Sequence, residues 1–351
     1  PITGDAFGPW YPVNQEKIIG LIYYYVKLTG DKDFLAATVN GKTVLDHVIA
    51  NALCLDDLDK PVALVDYGPS NSHLELRRGY PYNHTMPDLN GRRYLNYQRA
   101  AELSALMGTP RPDLQERADA LANLLKERLW DANAKWFRFL GENGAPDLRY
   151  TMQIFKLFDS PVLDPEEEAG LLAHLNETEF LSAQGFHSMS KTDIAYDQVD
   201  IDNGGGGACT SFPPQIAERL YRAGHDAQAN DILQRILWWG ERLPYWGDSI
   251  VANACDYRRD TPLQCTLDGA AIAQCLLFGM AGVDVHFNGD IIFHPHAVPF
   301  AVRYTITGLN LRGNRFDIAV ENNAFTVTQG EQTAHNTIGN AINWNAARKT
   351  L

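Results

Sequence analysis

Apolar residues recur every three or four positions along most of the first 283 residues, and the spacing drops to two after Gly282. Side chains repeat every 3.6 residues on a helix face and every two on a strand face. The switch therefore predicts a helical body followed by a small β unit, and we place the boundary between residues 283 and 284. Ile18, Ile22, Tyr25 and Val26 form one stripe that stops at Gly30-Asp31. Leu95 to Met107 predicts a helix closed by Gly108, and Leu114, Ala118, Leu121, Leu125 and Leu129 predict the next. A stripe with Ile216 and Leu220 starts at Pro213-Pro214 and stops at Gly224; Ile232, Leu233, Ile236 and Leu237 follow. Ala270 to Met280 is apolar all round and predicts a buried helix. Helix, short glycine-bearing turn, helix is the recurring unit, with no strict repeat. Past Gly282, Asn288-Gly289 sits between apolar runs as a hairpin signal, and turns are expected at Gly313-Asn314 and Asn322-Asn323.

At 351 residues and 45% hydrophobic, the chain can bury a large core. Its net charge of −13 argues against nucleic acid, which is bound by basic faces. No apolar run reaches the ~18 residues of a membrane span. Five cysteines without CxxC spacing read as buried thiols, with one or two disulfides left open. The sequence is silent on oligomeric state, and an extracytoplasmic location, periplasmic or secreted, is favoured over a cytoplasmic one.

Three long loops gather the charged and aromatic residues. The first, "LVDYGPSN" through "MPDLNGRRY", holds Asp66 after an apolar run, then Glu75, Arg77, Arg78, Tyr82 and His84, and Asp88 and Asn90 at the mouth of a helix. Gly68 and Pro69 put Asp66 on a loop with no helix to cap, which favours a role in a site. Asp88 and Asn90 read equally well as helix caps. The second, "YDQVDIDNGGGGACTSFPPQ", places Asp200, Asp202 and Asn203 before four glycines, where backbone could approach a ligand closely. No Gly-Lys-Ser/Thr follows, so it is not a phosphate loop. Ser211 at the twelfth position from Asp200 is not the glutamate of an EF-hand. A structural calcium held by loop oxygens stays open; no other metal or cofactor is implied. The third holds Tyr245, Trp246 and Asp248, with Glu241, Asp256 and Asp268 near. Flat apolar faces beside carboxylates suit a pyranose ring, so the expected ligand is a carbohydrate. His294 and His296 lack further ligands and read as structural.

The order of these features resembles the six-hairpin glycoside hydrolases. "VDYGPSN", "PDLNGRRYLNYQRAAELSALMG" and "RADALANLLKERLWDANAKWFRF" are most similar to inverting trehalases and processing α-glucosidases. "GAAIAQCLLFGMAGV" with a β tail is like α-L-rhamnosidases. The likeness covers most of residues 1–283 and implies a mainly α chain, an (α/α)6 toroid of helical hairpins with a small C-terminal antiparallel β unit at 284–351. The resemblance implies a ring of which this chain would lack some N-terminal helices. In that pattern the acid stands just over twenty residues before an "IDLN" helix start; Asp66 precedes Asp88 by 22 (88 − 66). "DIDNGGGGACTSFPPQ" takes the place of the family's "WDxPNGWxPxQ" loop. Val65 stands where the family has tryptophan, and the late "EKY" base motif is absent, with Asp248 falling nearest. The resemblance implies glycosidic hydrolysis with inversion, Asp66 as general acid with a raised pKa and Asp248 as base. Glu75, Arg77, Arg78, Tyr82, His84, Asp88, Asp200, Asp202, Asn203, Tyr245 and Trp246 would hold the sugar. Two other readings are a polysaccharide lyase using a Tyr–His pair in "YPYNHT", which would act on a uronate, and a carbohydrate-binding protein without catalysis.

Overall fold

The computed structural model describes residues 12–69, 80–201, 204–242, 247–259 and 266–351, with the side chains of 266–268 outside the description. Its helices are α1 (Val13–Thr29), α2 (Val44–Leu53), α3 (Pro87–Leu106), α4 (Pro112–Leu129), α5 (Pro165–Leu172), α6 (Phe212–Arg222), α7 (Asp226–Ile236), α8 (Trp238–Arg242) and α9 (Thr266–Gln274). A 3-10 helix runs over Met152–Leu157, and α9 continues as a π-helical turn over Cys275–Met280. α3 packs on α1, α2 and α4, and α6 packs on α7 and the α9 end.

The ends of these helices follow from local chemistry. Pro87, Pro112 and Pro165 open helices at positions where the missing N–H has no intrahelical partner anyway. α1 closes at Gly30, whose φ of 82° lies in the left-handed region and whose amide returns to Val26. Thr43 with Asp46 and Asp164 with Glu167 form reciprocal capping boxes on α2 and α5.

α1 differs from its predicted stripe. Ile18 and Tyr25 are exposed, and the buried face carries Glu16, Ile19, Gly20, Tyr23 and Val26. The reason is an ion-pair network: Arg99 Nη1 lies 2.6 Å from Glu16 Oε1, and Arg92 Nη1 and Lys17 Nζ lie 3.6 and 3.2 Å from Oε2. Burial raises the Glu16 pKa, but Lys17, Arg99 and Arg92 outweigh it and hold the carboxyl well below its ordinary value. The last helix also differs, since Ala273 and Gln274 are exposed, so it is not apolar-buried all round.

The helical body has one continuous core. Trp136 is fully buried, stacks on Phe180, meets Phe155 edge-on and donates its indole N–H to the Arg149 carbonyl at 2.9 Å. A separate core of Val283, Ile291, Phe293, Phe316, Ile318 and Trp344 lies under the C-terminal strands. These form a three-stranded antiparallel sheet (Val283–Val285, Ile291–Phe293, Ile342–Trp344) and a four-stranded meander running through Arg303–Leu311, Asn314–Glu321, Ala324–Gln329 and Gln332–Thr337. The turns at Arg312-Gly313 and at Asn322 adopt positive φ, as tight hairpins require.

Candidate functional site

α1, α3, the 3-10 helix at Met152 and α6 begin against one continuous belt of loops. Backbone contacts trace it. Tyr67 N–H donates to the His84 carbonyl and His84 N–H to that of Gly68, both at 2.9 Å. Thr85 pairs with Leu140, and Phe139 with Asp147. Thr151 pairs with Met189, Ser188 N–H donates to Gly207 at 2.8 Å, and Gly207–Cys209 pairs with Ser249–Val251. Under the belt, Tyr82, Met86, Leu89, Phe139, Met189 and Ala195 make a small apolar core, against which Val13, Tyr67 and Tyr196 pack. Asp66 and Asp248 thus stand on segments joined by one run of strand and loop contacts.

Asp66 sits at one end of the belt, and Asn90 fixes it there. The fully buried Asn90 amide accepts from Val65 N–H at 2.9 Å and donates to the Val65 carbonyl at 3.2 Å, clamping the residue just before the carboxylate. Arg93 adds a bond to the Ala63 carbonyl at 2.9 Å. The Asp66 side chain is 60% exposed. Oδ1 accepts from Gly68 N–H at 2.7 Å, and Nδ1 of His84 lies 2.9 Å away. Next to a carboxylate that nitrogen is the proton donor. Partial burial raises the Asp66 pKa, but the Gly68 amide and the His84 ring outweigh it, and the carboxyl lies below its ordinary value. The raised pKa expected of a general acid is therefore not present in the free protein.

Asp248 stands at the other end, half-buried, with its carbonyl accepting from Thr210 N–H at 2.8 Å and its carboxylate facing the Ser249 hydroxyl at 3.3 Å. Asp88 is not a helix cap: it lies in the first turn of α3, after the N-cap Met86, and is 1% exposed. Tyr82 Oη donates to its Oδ1 at 2.7 Å. Tyr82 is itself fully buried, and burial, then Asp88, pushes its phenol well above the ordinary value. A phenol so hard to ionise is ill-placed to serve as the base of a lyase. Asp200 is half-buried, and its carbonyl accepts from Gly204 and Gly206 at 3.2 and 3.1 Å.

The glycine run serves close packing of backbone on backbone, not approach to a ligand. A Cβ on Gly206 would fall 2.4 Å from the Gln198 carbonyl oxygen, and one on Gly207 would fall 1.9 Å from that of Ile250. Glu75, Arg77, Arg78, Asp202, Asn203, Tyr245 and Trp246 lie outside the described residues. Among the described residues no group of three or more His, Cys, Asp or Glu side chains is arranged to hold a metal. His296 instead pairs with Asp226 at 2.8 Å.

Two residues here have roles that only the fold reveals. Asn90 reads as a possible cap, and only the fold reveals its grip on Val65. Asp56, in "LDDLDK", belongs to no motif that would single it out, yet its side chain is 2% exposed. It receives Arg93 Nη2 and Tyr97 Oη at 2.6 Å each and Arg117 Nη1 at 3.2 Å.

No family model matches the chain, and no curated protein matches it in sequence. Solved structures do align with it. A sialidase aligns over 95% of this chain and 33% of its own, with a TM-score of 0.74 and 11% identity. A family GH78 rhamnosidase of Bacillus sp. GL1 aligns over 92% of this chain and 31% of its own, with a TM-score of 0.59 and 16% identity. A neutral trehalase from Saccharomyces cerevisiae aligns over 54% of this chain and 37% of its own, at a TM-score of 0.45 and 12% identity. The chain spans about a third of the length of these structures. The likeness to the sialidase and to the rhamnosidase is one of fold.

Proposed function

We propose that this chain is a glycoside hydrolase domain, its hairpins forming a sector of an (α/α)6 toroid with the belt as the rim of the substrate pit. The observation that carries the reading is that Asp66 and Asp248, from distant parts of the chain, stand on one belt at the starts of α1, α3 and α6. Asp66 donates a proton to the departing glycosidic oxygen. Its carboxyl is exposed and ionised in the free protein, so the proton must be gained when the sugar covers it: desolvation disfavours the charged form and lifts a carboxyl pKa. His84 and Asn90 set its position. Asp248 acts as the base on a water, and the water's attack from the opposite face inverts the anomeric centre, which calls for carboxyls ~6.5–9.5 Å apart. Glu75, Arg77, Arg78, Asp202, Asn203, Tyr245 and Trp246 complete the grip on the sugar in this reading.

The test is hydrolysis of a panel of neutral and acidic aryl glycosides by the wild-type chain, Asp66→Asn and Asp248→Asn. Loss of general acid or base assistance predicts a fall in kcat of ~10²–10⁴-fold for each variant. If both variants turn over a substrate of the wild type undiminished, the assignment is wrong. Appearance of an unsaturated, ultraviolet-absorbing product would instead mean lyase chemistry.

A further inference from the structure

Beside Asp66 lies a cavity of about 410 Å³, walled by the extended segment that runs from Leu55 to Asp66 and by Arg93 and Arg117. That volume falls within the range of small-molecule sites, ~300–1,000 Å³. Its lining carries three carboxylates, Asp56, Asp57 and Asp66, and three cations, Lys60, Arg93 and Arg117. Asp56 is saturated by Arg93, Tyr97 and Arg117, so one carboxylate serves two guanidinium groups. Lys60 and Asp57 at the rim neutralise one another at 2.6 Å. Asp113, one turn before Arg117 on α4, is held by both arms of Arg111 at 2.8 and 2.7 Å. Among the described residues, Asp56 is the one hydrogen-bonding partner of Arg117, and it engages only Nη1. With its side chain 18% exposed, Arg117 keeps Nε and Nη2 for a ligand. The cavity therefore has an unspent guanidinium in its wall and the Asp66 carboxyl at its edge, with Pro61, Val62 and Leu64 as apolar wall between.

We propose that this cavity binds an acidic saccharide, its carboxylate seated on Arg117 and its glycosidic oxygen presented to Asp66. The inference rests on the reading of Asp66 as the proton donor. A guanidinium offering two parallel N–H donors matches a carboxylate and not a neutral hydroxymethyl group, so the preference is for sugars carrying that group.

The experiment is a binding titration of the full chain by calorimetry with methyl β-D-glucuronide, methyl α-D-galacturonide and methyl α-N-acetylneuraminate, against methyl β-D-glucoside as neutral control. At least one acidic glycoside is expected to bind more tightly than the control. Arg117→Gln should weaken it about tenfold or more while leaving the control within about twofold. Because Arg117 also touches Asp56, Val62→Glu serves as a second variant: a carboxylate in the wall should repel the acidic glycosides selectively. Equal binding of acidic and neutral glycosides, no binding of any acidic one, or acidic binding indifferent to both variants overturns the proposal. Failure of the hydrolase reading looks different: Arg117-dependent binding persists, but no glycoside is cleaved. Cleavage that depends on Asp66 and ignores Arg117 would retire the cavity alone.

Discussion

Replacing His84 should raise the pKa of Asp66. Residue 84 sits at φ 56°, in the left-handed region where glycine is free of strain, so His84→Gly removes the ring without forcing the backbone. The ring nitrogen lies 2.9 and 3.1 Å from the two Asp66 oxygens. A buried hydrogen bond to a charged group contributes ~1.5–3 kcal/mol. Asp66 is 60% exposed, so water screens the pair and the contribution falls to ~0–1 kcal/mol, the range of surface ion pairs. At 1.36 kcal/mol per unit, that is a rise of roughly half a pKa unit. The Gly68 amide at 2.7 Å remains and keeps the shift from being larger. A carboxyl ¹³C titration of Asp66 in the two proteins reads the shift directly. If Asp66 is the acid, the alkaline limb of kcat/KM moves up by the same amount, because the protonated form persists to higher pH. An Asp66 pKa that is unchanged or lower in the variant would refute the view that His84 stabilises its ionised form.

Asp56→Ala should destabilise the fold by about 3–5 kcal/mol, since it strands Arg93 in the protein interior, and a drop in the urea midpoint at constant slope checks it. Gly207→Ala should break the pairing of Gly207–Cys209 with Ser249–Val251, because its Cβ falls 1.9 Å from a carbonyl oxygen; loss of slow amide exchange at Ile250 together with lost activity is the expected result. His187 is fully buried between Ser182 and the Gly205 carbonyl, and burial pulls its pKa down to about 4. The unfolded chain therefore takes up this proton first. Stability is complete above pH ~6.5 and falls as pH drops from there towards 4, by at most about 3 kcal/mol. Urea midpoints at the two ends of that window, compared with those of His187→Gln, should show the loss in the wild type and its reduction in the variant.

The hairpin rhythm and the strand tail were readable because their signals are local. In Asn314–Glu321 buried and exposed residues alternate as the sequence pattern requires, and the turns fall at Gly313 and Asn322. The face of α1 was not readable, because apolar pattern alone cannot anticipate that Arg92 and Arg99, more than seventy residues away, make burial of Glu16 favourable over burial of Ile18. Asp66 could be singled out by the absence of a helix to cap. The lowered pKa of its carboxyl and the clamp from Asn90 depend on which residues the fold brings beside Val65 and Gly68, and neither is encoded in spacing. The glycine run shows the same limit from another side. Four adjacent glycines announce close approach, but the sequence does not say whether a ligand or the chain itself arrives; here it is the Gln198 and Ile250 carbonyls.

In the proposed mechanism Asp66 and Asp248 work from opposite faces of one scissile bond. Proton NMR of the anomeric signal during the first minutes of hydrolysis of whichever glycoside the panel identifies tests it most directly. The account predicts that the first product formed has the anomeric configuration opposite to that of the substrate. A first product of retained configuration would mean a carboxylate close enough to attack the sugar itself, and would contradict the roles given to this pair.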